Sequence, residues 1–560
     1  MDWFSAADYR LSRLVIERGL GFIYLLAFLS ALDEFPALLG ERGLLPVPGF
    51  LRTVRFRDAP SLFHLRYSDR LLRATGWAGA GLSAAIVLGL PQQGPLPLTM
   101  LVWLFLWVLY LSIVNVGQRF YQFGWESLLL EAGFLAIFLG NARTAPPFPV
   151  LLLFRWLAFR VELGAGLIKL RGDPCWRDLT CMYYHHATQP TPNPLSWYFH
   201  HLPRPVHRLE VFGNFVAQLV APFALFLPQP IAGAAALLML GTQAYLIASG
   251  NYAWLNLLTM VIAVSAVPDT FIRALWPGAG GPPAPAEPPL WFVAAFVAMT
   301  VLVLALSYLA VRNMIGRRQL MNYSFNRYHL ANTYGAFGSV TRERHEVVIE
   351  GTDADELSGG AVWREYEFRG KPGDPRRRPR QVAPYHLRLD WLMWFAALRP
   401  GRAEEWFVPL LVKLLEGDPA VLRLLRRNPF PDAPPVWVRA RYYRYRFTSR
   451  RERRETGAWW VRELAAEYVR PVRLGRSGAD RRGTAPADTG SGPCASSSSA
   501  APDSSAGSSS PTCTRAVTRS GCPIAARAPP IFLQRCDACS ATATASPATP
   551  PSCGGLRRTW

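Results

Sequence analysis

Long uncharged runs fill the first 311 residues of the chain, and beyond Arg312 they give way to short alternations of apolar and charged positions. A helix that crosses the hydrocarbon core takes about 20 mostly apolar residues. The stretches that approach this length are 15–32, 75–90, 98–115, 126–139, 150–170, 211–227, 231–249, 254–267 and 290–311. Those at 98–115 and 290–311 are long, free of charge and rich in the Trp or Tyr that settle at membrane interfaces. Those beginning at Glu126 and Trp254 are short enough to be tilted or re-entrant. The pattern predicts a multi-pass α-helical membrane region, residues 1–311, with about five to nine crossings.

From Arg312 the period changes. HEVVIEGT and VWREYEFRGKPG alternate apolar with polar positions, as strands closed by Gly/Pro turns do. Residues 390–398 and 406–427 carry helical spacing, with Asp390 placed to cap the first, and VRARYYRYRF (438–447) reads as a strand. Residues 312–474 are therefore expected to form a soluble C-terminal α+β domain, sandwich-like and large enough to bury a core. Residues 475–560 lack Lys and Glu and hold six of the eight cysteines among Ser, Ala, Pro, Thr, Gly and Arg. Such a composition cannot bury enough apolar surface to fold, so a disordered low-complexity tail is expected.

The net charge is +21, nearly all of it arginine. A strongly basic chain can bind nucleic acid. Here the charge is spread over loops, the second domain and the tail, with no Lys-rich tract and no aromatic–basic stacking motif, so nucleic acid is not the expected partner. Basic flanks that meet a lipid bilayer account for it better. The N-terminus lacks a basic segment followed by a clean apolar run and a cleavage site, which leaves insertion to the first helix. The sequence contains no phosphate-binding loop, dinucleotide fingerprint, nucleophile elbow or kinase motif, and no cofactor is expected.

One apolar stretch, FRWLAFRVELGAGLIKL, holds Arg155, Arg160, Glu162 and Lys169. Arg155, Glu162 and Lys169 follow one another at seven-residue intervals and share a helix face. Ionisable groups at bilayer depth are costly, and they face a bundle interior or pair with one another. They can mark a polar site or a structural ion pair, and Glu162 is expected within ion-pair reach of an Arg or Lys. Gly164 and Gly166 would let a neighbouring helix approach. Glu126 and Glu131, five apart, do not share a face. They read better as partners for the basic residues near Arg155 than as an acid–base pair.

Cys175 and Cys181 sit in a polar loop after this stretch, at a spacing that suits a disulfide in an oxidising compartment. It suits a metal poorly. The doublets His185–His186 and His200–His201 lack a metal-binding motif around them and are read as loop packing; no metal is expected. Asn322-Tyr-Ser forms a glycosylation sequon directly after the last long span. Trp391, Trp394, Trp406, Trp459 and Trp460 belong to the second domain, where aromatic side chains can be recognition hot spots or core.

The chain resembles the lipase maturation factor family. The matching pieces include ERGLLP (41–46), NVGQRFYQFGWESLLLEAGFL (115–135), FRWLAFRVELGAGLIKLRGDPCWRDLTCM (154–182), TQPTPNPLSWYFHHLP (188–203) and SGNYAWLNLLTM (249–260). They continue with NTYGAFGSVTRERHEVVIEGT (332–352), YEFRGKPGDPRRRP (366–379), PYHLRLDWLMWFAAL (384–398), RNPF (427–430) and GAWWVREL (457–464), so that the resemblance covers about residues 10–474 in family order. It implies a multi-pass membrane protein, in animals of the endoplasmic reticulum, that helps secreted lipases fold and assemble. It also implies a lumenal C-terminal domain that binds the client, for which the five tryptophans are the candidate contacts. The Arg- and Ala-rich composition suits a GC-rich genome, and in a bacterium the corresponding membrane is the plasma membrane.

The expected role is chaperone-like and not catalytic. The membrane region is also similar to that of vitamin K-dependent carboxylases, which implies an alternative: a membrane-embedded enzyme using Arg155, Glu162, Lys169 and the His-rich loop. A polar cavity where those side chains converge would favour the enzyme, and charges paired off in a dry bundle the folding factor. For orientation, Arg312, Arg317 and Arg318 pull residues 312–474 toward the cytosol, while the Arg-rich loop at 52–73 and the family resemblance place them outside it.

Overall fold

The computed structural model describes residues 4–278, 287–357, 359–401, 404–475 and 533–535. Helix α1 (Arg10–Leu38) runs through the helical bundle with α2 (Asp69–Leu88) against it. Small residues make that contact possible. A side chain on Gly79 would begin 2.4 Å from the Phe28 ring, and one on Gly76 would begin 2.7 Å from Leu32, so only glycine lets the two backbones approach. Ser68 caps the start of α2 by accepting from Leu71 N, and Gly89, at a φ of +78°, ends it.

The bundle continues with α3 (Leu96–Val116), α4 (Gly124–Ala136), α5 (Phe148–Arg171), α6 (Met182–Thr188), α7 (Arg204–Phe215), α8 (Ile231–Ser249), α9 (Leu255–Ala263) and α10 (Leu290–Ile315). Among the described residues, five helices are long and apolar enough to cross a membrane: Ala7–Leu38, Asp69–Leu88, Leu96–Val116, Ile231–Ser249 and Leu290–Ile315. Counting Leu255–Ala266 with Asp269–Leu275, which meet at a 119° bend, gives six. The α5 helix has 24 residues, and Arg155, Arg160, Glu162 and Lys169 along it are buried.

Two sequence expectations are modified. The stretch 211–227 is not one helix: α7 passes into a π-helical segment, Val216–Val220, and then into a short helix Ala221–Ala224 that starts around Pro222. Proline cannot donate the next backbone hydrogen bond, and the ladder shifts register to accommodate it. The short stretch at 126–139 is the helix α4, 13 residues long, walled in by the rest of the bundle.

The C-terminal region is built on an antiparallel sheet. Strand β1 (Arg344–Thr352) pairs along its whole length with β3 (Trp437–Phe447), from Arg344 opposite Tyr445 to Thr352 opposite Trp437. The short β2 (Arg364–Glu365) lies on the far side of β1, and β4 (Trp460–Leu474) flanks β3. Helices cover one face of this sheet: α11 (Arg388–Ala397) contacts β1, and α12 (Phe407–Leu415) contacts β3 and β4. The Tyr442 hydroxyl donates to Ala397 O at 2.8 Å.

The stretch 406–427 breaks after Glu416, where Gly417 takes a φ of +65° and Asp418 caps α13 (Pro419–Leu424) by accepting from Ala420 N and Val421 N. Asp390 is not a cap either. Leu387 holds the cap position of α11, and Asp390, one turn in, accepts instead from Gly370 N at 2.5 Å. The last helix, α14 (Arg450–Thr456), begins with a capping box of Ser449 and Glu452. Of the tail expected to be disordered, only Gly475 and Leu533–Arg535 are described, the latter as a short strand beside Val472–Leu474; the rest of that expectation lies outside the described residues.

Candidate functional site: the joint between bundle and sheet domain

The sheet domain sends one arginine into the bundle. Arg388, in the first turn of α11, donates from Nη2 to Glu126 Oε1 on α4 at 3.0 Å, and its Nη1 lies 3.6 Å from Glu34 Oε2 on α1. The Arg388 amide also donates to Glu34 Oε2 at 3.1 Å, and its guanidinium stacks over Tyr121 at 4.0 Å. Glu126 accepts in turn from the Tyr110 hydroxyl. Arg388 and Glu126 are both 0% exposed in their side chains. Removing one partner of such a pair would leave an uncompensated buried charge.

His386, two residues before Arg388, accepts from Trp125 Nε1 at 3.3 Å. Burial first, then the neighbouring guanidinium, pushes its proton affinity well below the ordinary value, which suits a neutral imidazole acting as acceptor.

A second joint involves the segment between α10 and β1. Arg160 pairs with Glu131 and donates from Nη1 to Asn332 O at 2.8 Å. Glu131 also accepts from the Tyr334 hydroxyl at 2.8 Å and from Asn332 Nδ2 at 3.1 Å. A third joint docks the domain on loops of the bundle. Arg344 on β1 donates to the carbonyls of Ala187 and Pro190, and Lys371 pairs with Glu346 at 3.0 Å beside it. Burial, opposed by Glu346, holds the Lys371 ammonium down at about 8. Asn251 clips the loop before α11: its Nδ2 donates to Arg380 O, and its Oδ1 accepts from Val382 N and Ala383 N.

The charges predicted on α5 therefore separate. Arg155 donates to the carbonyls of Ser265 and Leu225, Arg160 pairs with Glu131, and Lys169 donates to Gln218 at 2.8 Å and Asn214 at 3.3 Å. Glu162 departs from expectation, because its Oε1 accepts from Gln243 Nε2 at 2.7 Å and it pairs with no basic side chain among the described residues. An amide supplies the donor without a second buried charge. Gly164 is close to the carbonyl of Tyr334, so the connecting segment, rather than a neighbouring helix, uses that opening; Gly166 faces Leu219.

Four of the five tryptophans, Trp391, Trp406, Trp459 and Trp460, are buried and so are not exposed contact residues, and the fifth, Trp394, is half-buried. Trp391 packs on Trp125, with ring centres 4.9 Å apart, and Trp406 on Phe120. Trp460 stacks on Phe447 at 3.9 Å, and Trp459 meets Trp197 from the bundle loops. Trp394 is half-buried, and its Nε1 donates to Thr188 O at 3.1 Å. Trp391, Trp406 and Trp459 meet residues of the bundle, a contact that no pattern within 312–474 reveals, whereas Trp460 packs on its own domain.

Cys175 and Cys181 are joined in a disulfide, with Cα atoms 4.8 Å apart. The histidine doublets do not act as pairs. His185 lies 2.9 Å from the Tyr252 hydroxyl, whereas His186 turns to Glu210; His201 Nδ1 lies 2.7 Å from Trp197 O. Asn322 takes a φ of +52° and accepts from Gly335 N at 3.2 Å. Sequence reading missed Glu34, Arg388, His386, Asn332, Tyr334, Arg344 and Asn251. The available signal was their place inside the stretches of family resemblance, except for Glu34, which lies outside them.

These features define an integral membrane protein whose helical bundle carries a sheet domain clamped to it through buried ion pairs. The chain belongs to the lipase maturation factor family. Residues 11–274 match the family's transmembrane domain and residues 330–470 its C-terminal domain, so Glu34 and Glu126 fall in one matched region and Arg388 in the other. The chain is 43% identical over 499 residues to lipase maturation factor 1 of Homo sapiens, covering 83% of this chain and 88% of that one. It is 29% identical over 603 residues to lipase maturation factor 2 of Homo sapiens, covering 84% of each. No solved structure matches it. Membership supports a role in maturation or folding.

Proposed function

We propose that this protein is a membrane-anchored folding and assembly factor that holds a secreted lipase, or a similar client, on its C-terminal domain outside the cytosol. The observation that carries this reading is the outer edge of the sheet. Along residues 461–470, β4 pairs with β3 on one side and with no strand among the described residues on the other. Long open edges are templates for an incoming strand. This one exposes Leu464 at 55%, while Arg462, Glu463, Glu467 and Arg470 along the same strand discourage self-association.

The intramembrane charges support binding over chemistry, because Arg155, Arg160, Glu162 and Lys169 are each engaged by protein partners. The relevant membrane is that of the endoplasmic reticulum, or the plasma membrane in a bacterium.

The test is a photo-crosslinking residue at Leu464 in cells that co-express a secreted lipase. A crosslink to immature lipase, with loss of secreted lipase activity when the edge is blocked by Ala466→Pro, is expected. Lipase that matures in dependence on this protein while no crosslink forms at residues 461–470 would sink the edge as the client site.

A further inference from the structure

The His-rich loop brings together a set of side chains that neither the clamp nor the client reading uses. His186 from α6 and His207 and Glu210 from α7 each point one ligand atom at a common point, with all these atoms within 4.8 Å of one another. His186 Nε2 lies 3.3 Å from Glu210 Oε1, and His207 Nδ1 lies 2.6 Å from Glu210 Oε2. Four-coordinate zinc takes His nitrogen and carboxylate oxygen at about 2.1 Å, which separates neighbouring ligand atoms by about 3.4 Å. Both observed spacings fall below that value, so the Glu210 and His207 atoms would move apart by about 0.8 Å to admit the ion.

The hydrogen-bond geometry adds an independent argument. His207 has an acceptor on both sides: the Glu210 carboxylate at Nδ1 and the His200 carbonyl at Nε2, 3.4 Å away. A neutral imidazole has one N–H to give. If Nε2 gives it to the carbonyl, the Nδ1 lone pair faces a carboxylate 2.6 Å away, which either a second proton on the ring or, once the two atoms separate to about 3.4 Å, a shared metal ion relieves. A backbone carbonyl that receives the far N–H is the usual outer support of a metal-binding histidine. His186 Nδ1 is buried and finds no hydrogen-bond partner among the described residues, and the Tyr245 hydroxyl from α8 closes on Glu210. The side chains of His186 and His207 are buried, and Glu210 is close to it.

We propose that His186, His207 and Glu210 form a zinc site, with a water or the Tyr245 oxygen completing four ligands. The two-histidine, one-carboxylate set with nitrogen and oxygen donors is the zinc-type choice, and the hard cations calcium and magnesium call for all-oxygen cages. The metal ties α6 and α7 together beside α8 and so fixes the end of α6 and the loop after it, where the Ala187, Gln189 and Pro190 carbonyls receive Arg344 from the sheet domain. This assignment stands apart from the client-binding reading.

The test uses the full chain purified in detergent, with free thiols alkylated so that the six tail cysteines cannot bind metal, and with metal removed by a chelator. Cobalt(II) and zinc(II) are then added alone. One equivalent of cobalt with the intense visible absorption of a four-coordinate site is expected, displaced by zinc, and zinc raises the unfolding temperature. Glu210→Gln, which keeps the side-chain shape, weakens zinc binding on the order of a hundredfold or more and abolishes the zinc-dependent thermal shift. Zinc-edge X-ray absorption of the unsubstituted protein reports two imidazoles and oxygen, which decides the matter even where a variant fails to fold. A folded, alkylated protein that takes up no cobalt, a six-coordinate spectrum, sulfur ligation at the zinc edge, or equal binding by Glu210→Gln overturns the assignment.

Discussion

Arg388 of the sheet domain donates to Glu126 of the bundle across 3.0 Å, 262 residues away in the chain and with no solvent at either side chain. The contact makes the two regions one mechanical unit, and its energetics follow from burial. A paired buried charge contributes little net stability, but an unpaired one is penalised heavily. Arg388→Met therefore strands Glu126 and Glu34 and is expected to cost about 3–5 kcal/mol. Thermal unfolding in detergent measures the loss, and adding Glu126→Gln to the same chain should return part of it. A single variant as stable as the parent would show that the clamp is not intact in the protein.

Trp391→Ala is expected to destabilise by about 3–5 kcal/mol, because the ring is buried against Trp125 and Phe123. Binding of client per folded molecule should be unchanged. If the substitution instead left stability intact and reduced client capture, the tryptophan would be a contact residue and the packed joint would be the wrong description.

Lys371 predicts a pH dependence. Burial lowers its proton affinity from the ordinary 10.5 to about 8 in the folded protein, with Glu346 opposing the shift. Between about pH 8 and 10.5 the unfolded chain holds a proton there that the folded chain does not, so stability rises with pH through that window. Unfolding temperatures of the parent and Lys371→Met, compared across it, should show the parent gaining relative to the variant. A difference that stays flat from pH 8 to 10.5 would remove Lys371 as the cause.

Orientation can be read at Asn322. Expressed in a mammalian cell, the chain is expected to gain one glycan-sized mobility shift that Asn322→Gln abolishes. Because Asn322 is engaged with Gly335 close to the end of α10, a second probe is needed. In a bacterial host, Val362→Cys, at a position 65% exposed on the sheet domain, should react with a reagent that does not cross the plasma membrane, without opening of the cytosolic side. Reaction only after the cytosol is made accessible reverses the assignment.

The sequence by itself determined the elements that depend on local periodicity. Uncharged runs at 98–115 and 290–311 could only be satisfied as helices in an apolar medium, and they appear as Leu96–Val116 and Leu290–Ile315. The alternation in HEVVIEGT likewise committed it to a strand, now β1. The buried charges on α5 were legible as expensive residues that needed partners, and Arg160 found Glu131 as the spacing of the two glutamates suggested. Which partner each charge takes was a different matter. Glu162 went to an amide, and Glu126 to an arginine from another domain, because long-range packing decides which donors arrive at a buried oxygen.

The tryptophans teach the same lesson from the other side. An aromatic cluster in an isolated domain looks the same whether it faces a client or a neighbouring bundle. Only the docking of α11 on Phe123 and Trp125 buried it. Likewise His186 lies on a different helix from His207 and Glu210, and only the packing of α6 against α7 brings it to them. Local sequence determined the helices and strands because their periods are local; the clamp and the histidine cluster needed the tertiary fold, because they depend on which distant surfaces exclude water together.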